Sequence, residues 1–381
     1  MADILAAYRL PPDEGEKAAL PRRVLGLTIA AFAGVLLVAG FLSYFHRAER
    51  AARAQRDFQQ ANTLAGAGRY EEAIEKYRSA VSISHSGQHR LALALALASA
   101  GRLSEAEIYL GEFLKENPTS GPANLGLARI KAQQDDIPRA VMDYHRAIYG
   151  AWAQNPAGNR AQTRLELIGF LGKSGLKQQA QAELLTLRSE LPADPAMRKR
   201  AAHLFLDFGL PKEAAEVFRE VLKSNESDAE ARGGLGEAEL ALDDFDAARK
   251  AFADAARRDP ANKAYQDGLR LAEAVIAMDP ARRGLPPAER YARSRKLVEA
   301  TLGSLDQCLA RQAGSPPDAD RSLAETARKA LLSRRAPHSY GDAAAANVDL
   351  AGQVWGVRLR LCGPPNPTDE PVRKAMEQVQ R

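Results

Sequence analysis

GRYEEA, residues 68–73, decides the fold, because variants of it keep returning along the chain. Aligned on its last residue, it recurs as GRLSEA ending at Ala106, DDIPRA at Ala140, GLKQQA at Ala180, GLPKEA at Ala214 and DDFDAA at Ala248. The steps between these alanines are 33, 34, 40, 34 and 34 residues. A fixed period in this range marks stacked supersecondary units, each too small to bury its apolar face alone.

From about Ala51 to Met278 the chain is rich in Ala, Leu, Glu, Arg and Gln with a 3.6-residue apolar period and no β-branched runs, which predicts helix throughout. Each period is long enough for two antiparallel helices of about 12 residues and two short turns. The marker alanine is placed where the second helix must lie close on the first, and the Gly or Asp just before it permits a tight turn. Asn117-Pro118, Leu191-Pro192 and Asp259-Pro260 punctuate the units.

Over roughly residues 51 to 260 this pattern resembles the tetratricopeptide repeat. With the family's central alanine on Ala248, its Leu-Gly falls on Leu235 and Gly236, its aromatic on Phe252, its second small residue on Ala255 and its proline on Pro260. Around Ala140 the matches are Leu127, Ala128, Tyr144 and Ala147; around Ala73 they are Ala61, Tyr77 and Ala80; with the alanine on Ala106 the proline is Pro118. The aromatic the family carries early in its first helix is missing from every copy. The step from Ala140 to Ala180 is six residues too long, which predicts a longer helix or an extra loop near GAWAQNPAGN, 150–159, and a kink there.

The resemblance implies a curved α-solenoid whose concave side is lined by first-helix positions. Counting fifteen, eleven, eight and seven residues back from the markers gives Phe58 and Asn62, Leu91 and Leu95, Leu125 and Arg129, Leu165 and Lys173, Lys199, His203 and Asp207, then Glu237 and Leu240. Such a groove begins apolar and becomes charged, and is expected to hold a peptide segment of a partner protein. The carboxylate grip of the family's co-chaperones, built from Lys and Asn, is not expected, because Phe58 and Leu91 occupy two of its places and only Asn62 fits.

Val24 to Phe45 is 22 residues without a charge, about 33 Å as a helix, enough to span a hydrocarbon core of about 30 Å. Tyr44, Phe45 and His46 close it in place of a small-residue cleavage site, so a retained anchor in the bilayer is expected. Gly26, Ala30 and Gly34, spaced by four, offer a small-residue face for self-association. Four basic residues precede the span (Arg9, Lys17, Arg22, Arg23) and four follow it (Arg47, Arg50, Arg53, Arg56), so the positive-inside rule is nearly balanced. A short N-terminal tail left inside puts the bulk of the chain in a bacterial periplasm; the alternative is a cytoplasm-facing adaptor of a membrane complex.

Cys308 and Cys362 sit on apolar patterns outside any metal spacing. In an oxidising compartment they would pair; otherwise both are buried thiols. The net charge of +5 is local, with 17 Lys and Arg against 11 Asp and Glu in residues 281–381 and 36 against 37 elsewhere. It is diluted by Ala and acids, which argues against nucleic acid as a partner.

Two motifs mimic chemistry. GFLGKSG, 169–175, lacks the glycine a phosphate loop needs at position 167, where Leu stands, and reads as a turn between repeat helices. His85 and His89 in HSGQH are four apart, but Ser-Gly lies between them at a repeat boundary, so a solvated turn is expected. No other constellation supports catalysis, and no enzyme activity, metal or cofactor is expected.

The chain is therefore expected to be all-α. A disordered tail (1–23) leads to a transmembrane helix (24–45), a solenoid of about six repeats (51–260), a capping helix (261–280) and a helical C-terminal domain (281–381) with a helix near Arg321 to Arg335. VDLAGQVWGVRLRLC, 348–362, alternates like a strand over Trp355 to Leu361 yet suits a helix better. The architecture is similar to single-span repeat proteins that accompany the secretion translocon or envelope assembly machinery, and the expected role is a scaffold or chaperone-like adaptor for other proteins.

Overall fold

The computed structural model describes residues 14–84, 86–311, 317–333 and 337–380. Among them there are α-helices, one short 3-10 helix and no strand; Ser120 and Ala151 form a lone bridge. The chain divides into two compact units, one ending at Pro156 and one beginning at Ala157.

In the first unit, α1 (Glu14–Gly66) runs unbroken from the apolar segment into the first repeat. Val24 to Phe45 is exposed along its whole length, with large side chains such as Leu27, Phe32, Leu37 and Phe41 uncovered, and this helix is long and apolar enough to cross a membrane. Burial on α1 begins at Ala54, and its Phe58 and Ala61 join α2 (Tyr70–Ile83), α3 (Gly87–Ser99), α4 (Leu103–Glu116) and α5 (Gly121–Gln133) in one core. Then comes α6 (Ile137–Ile148).

The returning motif is a turn. All six marker alanines are fully buried. Five residues before each stands a left-handed residue: Gly68, Gly101, Asp135, Gly175, Gly209 or Asp243, with φ between 59° and 79°. The next amide reaches back to the preceding helix, as Arg102 N to Leu97 O (2.9 Å) and Asp244 N to Glu239 O (2.9 Å), satisfying carbonyls a helix end leaves open.

The long step has a concrete cause. Residues 149–155 fold back on the start of α5: Ala151 N donates to Thr119 O (2.6 Å), Gly121 N to Ala151 O (2.9 Å) and Trp152 Nε1 to Ala147 O (2.9 Å). A Cβ at Gly121 would fall 2.4 Å from the Trp152 ring, so only glycine fits. The following helix, α7 (Pro156–Lys173), is 18 residues long against 13 for α3, α5 and two later first helices.

The second unit continues with α8 (Lys177–Glu190), α9 (Pro195–Asp207), α10 (Pro211–Ser224), α11 (Ala229–Ala241), α12 (Phe245–Arg258) and α13 (Lys263–Met278). Four of the first helices in the two units are capped by a side chain at the same repeat position: Ser120, Asp194, Asp228 and Asn262 each accept from a backbone N–H of the first turn. GGLG, 233–236, lets α11 approach its neighbours: a Cβ at Gly233 would meet Tyr265 at 2.1 Å, and one at Gly234 would meet Phe218 at 2.2 Å.

The remaining helices are α14 (Pro287–Leu309), α15 (Asp318–Leu332), α16 (Tyr340–Cys362) and α17 (Glu370–Val379), with the 3-10 turn Pro367–Asp369 before the last. The ambiguous 348–362 stretch is helical. α14 and α16 run parallel, with Ser294 facing Asn347 (3.0 Å) and Ser304 facing Arg358 (3.2 Å), while α15 makes the return. α13 packs on α12 through Tyr265 and Ala272 and on α14 and α17 through Val275 and Met278. It covers the last repeat and joins the repeats to this bundle.

Cys308 and Cys362 close the same end of the parallel pair, their Cα atoms 6.2 Å apart and their sulfurs joined as a disulfide. Beside them Arg358, 2% exposed, donates to Asp369 Oδ2 (2.5 Å), Gly363 O (2.6 Å) and Ser304 Oγ. Burial alone would raise the Asp369 pKa, but hydrogen bonds from Ser304 and the Asn366 amide and the Arg358 charge outweigh it and hold the carboxyl below the ordinary range.

Candidate functional site

In each unit the first helices of successive pairs touch one another, α3 with α5, α9 with α11 and α11 with α13, and so make a common face. On the first unit this face is largely closed. Phe58 is not an open groove residue: it is 7% exposed, stacked on His89 with ring centroids 4.4 Å apart and tilted against Tyr77 at 5.7 Å. Asn62 is exposed and accepts from the Tyr77 hydroxyl (2.7 Å). Leu95 is half-buried against Gly126, and Arg129 is exposed on α5.

His89 corrects a second expectation. It lies in α3 and is 6% exposed, not in a solvated turn, because the helix begins at Gly87 and turns the ring onto Phe58. His85 lies outside the described residues. GFLGKSG is the last turn of α7 followed by Ser174 and Gly175, with Gly172 against the Phe208 ring and no strand before it. Among the described residues no group of three or more His, Cys, Asp or Glu is placed to hold a metal.

The second unit gathers charge. Lys199 on α9 reaches to α11, where its Nζ lies 3.1 Å from Asp228 and 2.5 Å from Glu230. One turn on, His203 Nε2 is 3.7 Å from Glu230, and its ring meets Phe218 edge-on at 5.2 Å. Burial lowers the Lys199 pKa and its two carboxylate partners raise it, with a net rise. Asp207, at the end of α9, and Glu237, two turns along α11 from Glu230, complete the row.

Glu237 is exposed on α11, with neighbouring protein close enough to withdraw part of its water. Desolvation pushes its pKa up, the His203 charge opposes this and Asp207 adds to it. Opposite stands Tyr265 of α13, whose hydroxyl pKa is raised by burial and by the field of Asp259, Glu230, Glu237 and Asp228. Lys199, His203 and Glu237 are thus brought together, and with Asp207, Asp228 and Glu230 the row holds four carboxylates against Lys199 and His203. Lys173 is exposed in the last turn of α7. Counting groove positions missed Asp228, Glu230 and Tyr265. Asp228 was readable as an N-cap, but nothing in the spacing marked Glu230 or Tyr265 as neighbours of Lys199.

Paired helices with a left-handed turn and a buried alanine at each return define a helical-repeat protein. Residues 58–121, 91–156 and 199–263 match the family model described as tetratricopeptide repeat, which supports that family for these segments. No curated protein matches the chain. Among solved structures, YrrB, described as a TPR protein with an unusual peptide-binding site, is 15% identical, with 51% of this chain and 97% of that chain covered and a TM-score of 0.40. The C-terminal part of a TPR repeat-containing protein from Cytophaga hutchinsonii is 16% identical, covering 64% and 94%, with a TM-score of 0.45. PilW, a type IV pilus biogenesis factor, is 17% identical, covering 57% and 98%, with a TM-score of 0.41.

Proposed function

We propose that the chain is a membrane-anchored scaffold that holds a peptide segment of a partner protein against the α9–α11–α13 face, on the periplasmic side of a bacterial inner membrane. The observation that carries the reading is the row of Lys199, His203, Asp207, Asp228, Glu230 and Glu237 on adjoining first helices, with Tyr265 behind it. Only part of that acidic charge is neutralised internally. Its ligand is a segment bearing Lys or Arg, whose cations take over the carboxylates left unbalanced.

The apolar run of α1 supports anchoring, because its exposed surface needs a hydrocarbon solvent. The Cys308–Cys362 pair suits an oxidising compartment. Anchoring raises the effective concentration of a client already near the membrane, and no chemistry is required of the scaffold itself.

Fluorescence anisotropy of short labelled peptides against the full chain in detergent tests the reading. A Lys- and Arg-bearing peptide is expected to bind, its Glu-bearing counterpart not, and Glu237→Lys is expected to weaken binding about tenfold, an amount worth about 1.4 kcal/mol. Equal binding of both peptides, or none, overturns it.

A further inference from the structure

We propose that Arg47, Arg50, Arg53 and Arg56 form a collar on α1 that binds the anionic headgroups of phospholipids around the span. The proposal rests on the membrane reading above. All four side chains are exposed, and no carboxylate partner faces them among the described residues. This is unlike the arginines of the repeats just beyond. Arg69 pairs with Glu72, Arg78 with Glu105 (3.0 Å), Arg90 with Glu116 (2.6 Å) and Arg102 with Glu71 (3.3 Å). Glu49 is the one acid among residues 46–56.

Their heights suit a headgroup layer. Arg47 lies two residues and Arg56 eleven residues past Phe45, about 3 Å and about 16 Å along the helix axis. Headgroups occupy roughly 5–7 Å beyond each side of the hydrocarbon core. Arg47 and Arg50 therefore stand among the phosphates, while the flexible side chains of Arg53 and Arg56 reach down within a Debye length of about 8 Å.

Steps of three residues carry the collar about half-way around the helix, from under the repeat face to its back. Arg53 and Arg56 lie exposed on either side of buried Ala54, turned away from the packed side of α1. Because α1 is unbroken from the span to Gly66, charge held at the collar also fixes the height of the first repeat above the bilayer.

The test reconstitutes the full chain into nanodiscs of equal parts phosphatidylglycerol and phosphatidylcholine and counts retained lipids by native mass spectrometry. Phosphatidylglycerol should be enriched, since each cation near an anionic surface strengthens attachment about fivefold, and R47Q/R50Q/R53Q/R56Q should return the ratio to near parity. These side chains are exposed and hold no ion pair among the described residues, so the variant's circular dichroism should match wild type. Insertion with no lipid preference, or a preference that survives in the variant, overturns the collar. Failure to insert at all overturns the membrane reading beneath it.

Discussion

At the scale of single residues, the repeat turn separates backbone conformation from side-chain contact. Gly101 has open space where a Cβ would go, but its φ is 79°. Gly101→Ala should therefore cost about 1–2 kcal/mol through the left-handed backbone alone. Asp135 holds the same conformation at φ 61°, where Asp is tolerated but strained. Asp135→Gly should be neutral or stabilise by up to about 1 kcal/mol, the relief being partly offset by a freer unfolded chain. Urea denaturation followed by circular dichroism reads both.

The buried Arg358–Asp369 pair gives a larger effect. Arg358→Ala strands the Asp369 carboxylate and should cost about 3–5 kcal/mol. Because folding lowers the Asp369 pKa, its contribution is present above the unfolded value of about 3.9 and is lost as pH falls through that value and below it. Thermal melts across pH 7 to 3 should show this loss in wild type and a smaller one in Asp369→Asn.

At the scale of elements, Glu237 makes opposite demands on stability and binding. Its raised pKa means that ionisation opposes folding, and that opposition grows as pH rises through the raised value. Glu237→Gln should leave the melting temperature unchanged or higher at pH 7 while weakening binding of a basic peptide. Wild-type binding should in turn begin to fail, on acidification, above the value of about 4.3 at which a free Glu titrates. Gly234→Ala should cost about 1–3 kcal/mol, since its methyl enters the Phe218 ring and α11 must shift away from α10.

The same elements show what could be read in advance. The helices and their turns were legible because GRYEEA and its copies carry their own conformational demand: an αL residue and, five positions on, an alanine with no exposed surface. The 348–362 helix was legible only weakly, since parallel packing on α14 buries Val354, Trp355 and Val357 on a broad face that imitates strand alternation. Phe58 and His89 were misjudged for one reason: a position count finds the helix face but not the neighbouring ring that covers it. The groove's charge was legible at Lys199, His203 and Glu237, yet Glu230 and Tyr265 join them only through the stacking of α9, α11 and α13.

At the scale of the whole molecule, one helix carries both the apolar run and the first repeat, and one covalent link closes the parallel helices at the other end of the chain. The Cys308–Cys362 bond spans 54 residues and should stabilise the second unit by about 4 kcal/mol in the chain-entropy treatment. C308S/C362S should therefore lower the denaturation midpoint of the C-terminal helices while leaving the first unit's transition in place.

The most direct test of an exported, membrane-held scaffold is thiol labelling with an impermeant reagent in cells whose outer envelope has been permeabilised, before and after reduction. The account predicts no labelling of either cysteine without reduction, even in denatured protein, and labelling of both after reduction without breaking the inner membrane. Labelling without reduction, appearing only once the inner membrane is lysed, would place the repeats in the cytoplasm and contradict it.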